Sequence, residues 1–239
     1  VKSVSDTLRL SSFLKSPARK LTADQKQLIS LGRGLVREDV AGVLMDEPLT
    51  VIDPDLKFRL RRNLKEINEQ YKTTLVYVTH DQNEAMTFAD NIIVMDQGEI
   101  VQVGLPKDLF EKPRTTFVGY FIGSPAMNLF NSEILSDNSL KFNNDTIKTR
   151  TDLSKIKNKD VKLGIRSEFI KIATDEKENV VSVKVTRVED LGNYKLITAK
   201  IGDFTIKSKV TRETEIPSQD VKLHIPAEKC CVYENNKLI

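Results

Sequence analysis

Two adjacent carboxylates, Asp46 and Glu47, directly follow a short apolar run at residues 42–45. That run has the length and composition of a strand buried in a parallel sheet, and open α/β sheets bind ligands at the carboxyl ends of their strands. In phosphoryl transfer, one carboxylate can hold Mg²⁺ through its water shell while the other orients and polarises an attacking water. An ordinary solvated strand end is the alternative interpretation. The pair is therefore a candidate site for metal-assisted phosphoryl transfer.

A histidine, His80, follows a second apolar run at residues 74–78. If both runs are strands of one parallel sheet, His80 lies at the same sheet edge as the two carboxylates, where a neutral imidazole can contact a terminal phosphate or the attacking water. A structural role at the strand end is the alternative. Just beyond it, Asp81 and Glu84 have the spacing of an N-terminal helix cap, which predicts that a helix begins here.

The elements that must hold these side chains alternate between helix and strand. A strand, a helix over residues 55–71 and a second strand predict a parallel pair with a right-handed crossover and with both strand faces buried. Residues 91–95 and 99–103 predict a hairpin with Gly98 at its turn. The predicted helix has one apolar face, made of Leu56, Leu60, Leu64, Ile67 and Tyr71.

The pattern changes near residue 120, where Gly and Pro interrupt the chain at residues 120–125. Beyond this point apolar and polar residues alternate with period two, as at 181–186, 204–207 and 221–225. This alternation predicts half-buried strands of an antiparallel sheet or a small barrel. We therefore expect two domains, an α/β domain over residues 1–120 and an all-β domain over residues 121–239.

Composition excludes several classes of protein. Of the 239 residues, 39% are apolar and 30% are charged, which is typical of water-soluble globular chains and excludes disordered and collagen-like ones. No apolar stretch approaches the roughly 20 residues of a membrane-spanning helix, and the N-terminus, which lacks a Met, has no secretion-signal pattern. The net charge is only +3, too little for a nucleic-acid-binding surface. Adjacent cysteines at 230 and 231 and only two histidines argue against a disulfide and a metal cluster, as in a reducing cytosol.

The first half of the chain resembles the second half of an ABC transporter ATPase. The resemblance rests on the ordered runs at residues 21–25, 43–49, 52–53 and 78–85. It implies that Asp46 is the Walker B aspartate that binds Mg²⁺ through water and that Glu47 is the catalytic glutamate. It further implies that Asp53 belongs to the D-loop and that His80 is the switch histidine. The residues that correspond to the family signature, which contacts ATP held by a partner subunit, are Leu21, Thr22, Ala23, Asp24 and Gln25.

The second half resembles the C-terminal regulatory domain of maltose-type sugar importers, an OB-like barrel. Residues 118–128 resemble the junction before that domain, and residues 163–166 resemble its marker sequence, although Ser167 stands where the family commonly has Pro. Within this group, residues 30–37 and 47–54 are most similar to the ATPases of bacterial glycerol importers. Other subunits choose the substrate in this family, so these residues are not expected to bind it.

The resemblance implies an energy-coupling subunit of an ABC importer for a sugar or polyol, hydrolysing ATP with Mg²⁺ at a dimer interface. The implied partners are a second ATPase subunit, integral membrane permease subunits and, indirectly, a periplasmic solute-binding protein, with no nucleic acid. The implied location is the cytoplasmic face of the bacterial inner membrane, as a peripheral subunit.

One departure from the family pattern lies in the signature, which is Leu-Ser-Gly-Gly-Gln in the family but contains Thr22, Ala23 and Asp24 here. Asp24 adds a negative charge near the bound phosphate, and like charges about 4 Å apart repel by roughly 4 kcal/mol at an effective dielectric near 20. We therefore expect a degenerate ATP site and pairing with a different ATPase subunit. The spacing of Thr22 and Gln25 also fits a capping box, which starts a helix without any ligand.

A second departure is that the chain has no Gly-x-x-x-x-Gly-Lys-Ser/Thr run to cradle the β- and γ-phosphates. The expectation is a truncated chain that lacks the N-terminal half of the ATPase domain and, alone, binds ATP weakly or not at all. The strands left as open edges are expected to cause oligomerisation or local disorder.

Two alternatives stay open at this point. The chain could be a regulatory module whose barrel half docks a small ligand or a protein. An oligonucleotide is disfavoured, because residues 180–239 offer only Tyr194, Phe204 and Tyr233 for stacking. The chain could also be an ATPase with a soluble task such as translation or repair, although the junction at 123–125 and the barrel after it favour transport.

Overall fold

The computed structural model describes residues 1–37, 40–50, 52–71, 73–156, 158, 160–217 and 220–239, with only the backbone at residues 54, 55, 67, 70 and 71. The α-helices are α1 (Lys2–Thr7), α2 (Ala23–Leu35), α3 (Pro54–Tyr71), α4 (Gln82–Phe88), α5 (Pro106–Glu111) and α6 (Thr116–Phe121). Short 3₁₀ turns cover Ser11–Phe13, Ala18–Lys20 and Ala227–Lys229. The strands are β1 (Gly42–Asp46), β2 (Thr74–Val78), β3 (Ile92–Asp96), β4 (Glu99–Gly104), β5 (Asn128–Ser136), β6 (Ser139–Phe142), β7 (Asp145–Lys148), β8 (Asp160–Ile165), β9 (Lys171–Ile172), β10 (Val180–Asp190), β11 (Tyr194–Ile201), β12 (Phe204–Thr211), β13 (Asp220–His224), β14 (Cys231–Glu234) and β15 (Lys237–Leu238).

The chain divides into two compact units, Val1–Ala89 and Asp90–Ile239. The division falls before residue 120 because the hairpin β3–β4 and helices α5 and α6 pack within the second unit. A boundary near residue 120 stays a prediction about where the ATPase-like sequence ends.

The first unit is built on a parallel pair of strands. β1 and β2 run parallel, with Gly42 opposite Thr74 and Asp46 opposite Val78, and α3 connects them. The predicted strand–helix–strand order is therefore confirmed. One face of the pair packs on a core that α1, α2 and α3 complete, and its buried members are Val4, Leu8, Leu10, Leu28, Leu31, Met45, Leu49, Ile52, Leu60 and Leu64.

The other face of the pair is exposed, so the prediction that both strand faces are buried was wrong. Leu44 is 82% exposed, Val78 52% and Val76 46%. The physical reason is that the described elements of the first unit form a packing layer on one face only. A two-stranded sheet alternates its side chains between the faces, so every second apolar residue is left in solvent.

Capping residues fix where two helices of this unit begin. α2 follows Thr22 in the predicted capping box, in which the Thr22 amide donates to Gln25 Oε1 at 3.1 Å. α4 follows Asp81, whose carboxylate accepts hydrogen bonds from the amides of Asn83 at 2.8 Å and Glu84 at 3.3 Å. Both predicted helix starts are thus confirmed.

The apolar face of α3 is confirmed where its side chains are described. Leu60 and Leu64 are buried, and Leu56 packs against the same core. The side chains of Ile67 and Tyr71, predicted for this face, lie outside the described part.

The second unit begins with the predicted hairpin of β3 and β4. Its two-residue turn places Gln97 at φ 48° and Gly98 at φ 83°. Positive φ at both central positions is the geometry whose twist matches the flanking strands, and glycine adopts it without a steric cost.

The remainder of this unit is the predicted antiparallel β structure. Two sheets, ordered β12-β11-β10-β13-β9 and β15-β14-β8-β5-β6-β7, enclose one core. The period-two pattern is confirmed, since Val181, Val183, Val221 and Leu223 all point into that core. An aromatic cluster fills one part of it, with the ring of Phe142 at 4.5 Å from Phe130 and 5.3 Å from Phe204 between ring centroids.

A buried arginine holds the segment before the barrel. Arg166, 1% exposed, donates to the carbonyl oxygens of Phe110 (2.9 Å), Gly119 (2.8 Å) and Ile122, and its guanidinium lies 4.5 Å from the ring centroid of Phe110. Burial lowers the pKa of Arg166. One guanidinium thus joins α5 and both ends of the last turn of α6 to the barrel.

The two cysteines are free thiols that lie in different clusters. Cys230 packs against the barrel core, whereas Cys231 packs with Met127 and Tyr233. Burial raises the pKa of Cys230 to about 12. Within the described residues, no helix is long and apolar enough to cross a membrane.

Candidate functional site

The carboxyl ends of β1 and β2 bring Glu47 and His80 into direct contact. Asp46 and Val78 are the last paired residues, and the Glu47 amide donates to the Val78 carbonyl at 2.9 Å. Glu47 follows β1 by one residue and His80 follows β2 by two, so the two side chains meet just beyond the end of the ladder. His80 Nδ1 and Glu47 Oε1 are 2.6 Å apart.

Each member of this pair changes the titration of the other. The hydrogen bond with His80, and next the one with Thr50, hold the pKa of the Glu47 carboxyl below its usual value. The same bond to Glu47 raises the pKa of His80. Because an ionised carboxylate can only accept, His80 Nδ1 donates this hydrogen bond, and Nε2 on the other side of the ring faces away from Glu47.

The backbone at Glu47 adopts an uncommon conformation that several contacts support. Glu47 has φ 44°, in the left-handed region that non-glycine residues seldom occupy. Its carbonyl oxygen accepts from Gln27 Nε2 at 3.1 Å and from the Thr50 hydroxyl at 3.0 Å, and that hydroxyl also lies 3.0 Å from Glu47 Oε2. α2 and the turn after β1 therefore aim the carboxylate at His80.

Asp46 lies one residue earlier, with an exposed carboxylate. No hydrogen bond or ion pair in the described part of the chain engages that carboxylate, and it borders a cleft of about 190 Å³ together with Gln27 and Ser30. Among the described residues no group of three His, Cys, Asp or Glu side chains could hold a metal by itself. A single free carboxylate fits Mg²⁺ that takes its other ligands from phosphate and water.

The residues predicted for the signature lie at the start of α2. The Thr22 hydroxyl donates to the Asp24 carboxylate, and this bond lowers the pKa of Asp24. Asp24 is thus negative at neutral pH, and the hydroxyl that was expected to face a phosphate is engaged within the helix cap. In the described residues, no hydrogen bond links the segment 21–25 to Glu47 or His80.

Asp53 lies just before α3, and its carbonyl accepts from the Lys57 amide at 2.8 Å. Sequence reasoning missed three residues of this region: Gln27, Thr50 and Glu84. Glu84 is 4% exposed and accepts hydrogen bonds from the hydroxyls of Tyr77, in β2, and Thr79, directly after β2. The spacing of Glu84 from Asp81 predicted only that it is part of a helix cap. The two hydroxyl residues that precede His80 were the signal that Glu84 could instead accept hydrogen bonds from the end of β2.

Comparison with known proteins shows what this chain is similar to. Residues 123–170 match the family described as the MalK OB fold domain. The predicted fold class, an α/β half followed by an OB-like barrel, is confirmed. As its sequence predicted, the chain is similar over about nine-tenths of its length to ATP-binding subunits of importers.

Three relatives illustrate the similarity. They are a trehalose/maltose import ATP-binding protein, MalK, of Thermococcus litoralis (35% identical; 90% of this chain and 61% of the relative), an oligosaccharides import ATP-binding protein, MsmX, of Bacillus subtilis (34%; 92% and 62%), and an sn-glycerol-3-phosphate import ATP-binding protein, UgpC, of Psychromonas ingrahamii (35%; 90% and 55%). The chain thus spans roughly three-fifths of the length of these curated relatives. A crystal structure of an ATP-binding cassette in its ADP conformation matches 46% of this chain and 44% of that chain at 23% identity, with a TM-score of 0.40.

Proposed function

We propose that this chain belongs to an ATP-binding, energy-coupling subunit of an ABC importer for a sugar or polyol, which hydrolyses ATP at a dimer interface. The observation that carries the proposal is the 2.6 Å contact of Glu47 with His80 at the carboxyl edge of a parallel strand pair. Homology to import ATP-binding subunits over about nine-tenths of the chain supports it.

The roles follow from the chemistry of each group. Glu47, held ionised by His80, accepts a proton from the attacking water, and His80 presents Nε2 to the terminal phosphate. Asp46 would hold Mg²⁺ through its water shell, and the ion would supply positive charge to neutralise the phosphates. Asp53 and the segment 21–25 contact nucleotide across the dimer interface.

These 239 residues contain no Gly-x-x-x-x-Gly-Lys-Ser/Thr run, the motif that positions a triphosphate for such carboxylates. We therefore expect the chain by itself to bind ATP weakly or not at all. Isothermal titration calorimetry checks this, and micromolar binding would contradict it.

The engaged Thr22 hydroxyl and the ionised Asp24 support a degenerate signature. The proposed partners are a second, consensus ATPase subunit, integral permease subunits and, indirectly, a periplasmic solute-binding protein. The proposed location is the cytoplasmic face of the inner membrane. Glycerol or glycerol phosphate is one candidate substrate class, and trehalose or maltose another, both taken from the names of relatives.

Turnover of the intact subunit, assembled with its permease, tests the catalytic roles. Glu47→Gln is expected to lower kcat by about 10²-fold or more, because a positioned base is lost while the side chain keeps its shape. Glu69→Gln is the matched control, since Glu69 is an exposed carboxylate of the same unit. Equal turnover of the two variants would overturn the assignment.

Co-purification of the intact subunit tests its partners. Recovery of a permease pair and a second ATPase supports import and a heterodimer, whereas recovery of ribosomes or repair factors would contradict it. Changing Ala23 and Asp24 to Gly in the same complex is expected to raise turnover, since the charge beside the phosphate disappears. Unchanged turnover would count against a degenerate signature.

A groove in the second unit favours a second candidate function, docking of a small polar ligand. The groove, about 620 Å³, lies along β5, β6 and β8, and its charged side chains are Glu133, Lys141, Asp160 and Lys162. Two positive and two negative groups balance, which suits a neutral polyhydroxylated ligand. Chemical-shift mapping with trehalose tests it: shifts confined to these residues support docking, and no shift at millimolar sugar contradicts it.

A further inference from the structure

A buried carboxylate, Glu84, lies between the two chain segments that carry Asp53 and His80. It is 4% exposed, although charged side chains are seldom buried without partners. Its two oxygens face different elements. Oε2 accepts from the Tyr77 hydroxyl at 2.9 Å and the Thr79 hydroxyl at 3.0 Å, both on the β2 side.

The other oxygen of Glu84 faces α3. Lys57 Nζ and Arg61 Nη1 each lie 3.5 Å from Oε1, and the side chains of these two cations are about one-fifth exposed. The two cations lie one helical turn apart near the start of α3, the helix that begins directly after Asp53. One carboxylate therefore binds the first two turns of α3 to the end of β2.

These contacts fix the backbone on both sides of His80. Thr79 donates to Glu84 and accepts from the Asp81 amide at 3.0 Å, so the residues before and after His80 are held by one chain of hydrogen bonds. The His80 side chain is 73% exposed, and its one side-chain hydrogen bond within the described residues is to Glu47. The position of the ring therefore depends on its flanking residues.

We propose that Glu84 is a positioning residue that fixes the His80–Glu47 contact by tying the end of β2 to the start of α3. The consequence of this role for catalysis rests on the proposed function. If that function is correct, Glu84 keeps the segment with Asp53 and the segment with His80 in a fixed arrangement relative to each other.

The His80 imidazole reports this role by NMR. The chain has two histidines, so a ¹⁵N-labelled sample gives two sets of ring signals, and those of His224, which lies in the other unit, are an internal reference. The charged groups around His80 are Glu47, Asp81 and Glu84, with Lys57 and Arg61 behind Glu84.

The decisive variant is the double substitution Lys57→Met with Arg61→Met, since a field effect and a positioning effect have opposite signs there. Removing two cations would by electrostatics alone favour the imidazolium and raise the His80 midpoint. Loosening the contact with Glu47 lowers the midpoint, and we expect a fall of about 0.5 pH unit. An unchanged or raised midpoint would overturn the proposal.

Arg62→Met is the matched control. Arg62 is on the same helix but pairs with Glu66 in solvent, with side chains 76% and 61% exposed, and we expect no shift of His80. Glu84→Gln should lower the midpoint as well; if that variant does not fold, the double variant still decides. Because no nucleotide is used, this result and the turnover of Glu47→Gln can fail independently.

Discussion

Arg166 in the second unit and the Glu47–His80 pair in the first unit use charge in opposite ways. In the second unit, Arg166 is buried and binds three backbone carbonyls, so its charge holds the chain together. In the first unit, Glu47 and His80 bind each other at an exposed edge and leave Asp46 beside them without a partner among the described groups. The contrast separates a charge that maintains structure from charges available to a ligand.

The sheets of the two units also differ in how well their apolar faces are covered. Each sheet of the barrel has one face in a shared core, whereas the free face of β1 and β2 exposes Leu44, Val76 and Val78. The second unit is therefore expected to tolerate core truncation poorly. Substitutions on the free face of the first unit should cost little.

Truncation of the aromatic cluster has the largest expected effect. Phe142→Ala should lower the free energy of unfolding of the second unit by about 3–5 kcal/mol, because a fully buried ring leaves a cavity. Urea denaturation followed by amide NMR signals of β8 measures it. Leu44→Ala, at the 82% exposed position, should cost less than about 0.5 kcal/mol. Similar costs for both would remove the contrast between the units.

Arg166→Met comes next. The substitution keeps much of the side-chain volume but removes the Arg166 donor from the carbonyls of Phe110, Gly119 and Ile122, of which Gly119 keeps the Met127 amide at 3.2 Å, at a total cost of about 2–4 kcal/mol. Urea denaturation measures it, with hydrogen exchange in α6 as a local readout. Arg166→Lys should recover only part, since one ammonium lacks the planar fork of donors. If Arg166→Met left the free energy of unfolding unchanged, the bonds from Arg166 to the three carbonyls would not be what holds the segment before the barrel.

Asp81→Ala removes the cap of α4 and should cost the first unit about 1 kcal/mol. Two amides, those of Asn83 and Glu84, lose their acceptor. Faster hydrogen exchange in α4 would reveal the loss. Asn83→Ala is the control because only the backbone of Asn83 takes part, and an equal effect there would assign the change to helix propensity instead.

Glu47→Gln has the smallest expected effect on folding but a clear one on titration. Since the contact with Glu47 raises the pKa of His80, the substitution should lower the His80 midpoint, with the ring signals of His224 as the reference. NMR titration measures both rings. An unmoved His80 would mean that the 2.6 Å contact is not formed in solution.

The same pair sets a pH window with two signs. Because folding raises the pKa of His80, His80 contributes stability below its pKa in the unfolded state, and this contribution is lost as the pH rises through its pKa in the folded state. A lowered pKa of Glu47 gives stability that is present above its unfolded value and lost as the pH falls through the folded one. The pair should therefore contribute most between these limits, and Glu47→Gln should flatten that pH dependence of the urea midpoint.

Local patterns carried much of this fold. The spacing of apolar residues predicted α3, Gly98 predicted the hairpin turn, and Thr22 and Asp81 predicted two helix starts, because each depends on neighbours within a few residues. Burial of both faces of β1 and β2 was predicted wrongly. Composition shows that a strand is apolar, but the packing layers available decide which of its faces is covered.

The sequence by itself determined which residues share the edge of the strand pair, because parallel strands end on the same side and Asp46, Glu47 and His80 follow strand-like runs. Only the tertiary structure decided that Glu47 and His80 touch, that the Thr22 hydroxyl binds Asp24, and that Glu84 joins β2 to α3. Those contacts depend on side-chain direction and on residues far apart in the chain, such as Lys57 and Glu84, for which spacing along the sequence carries no information.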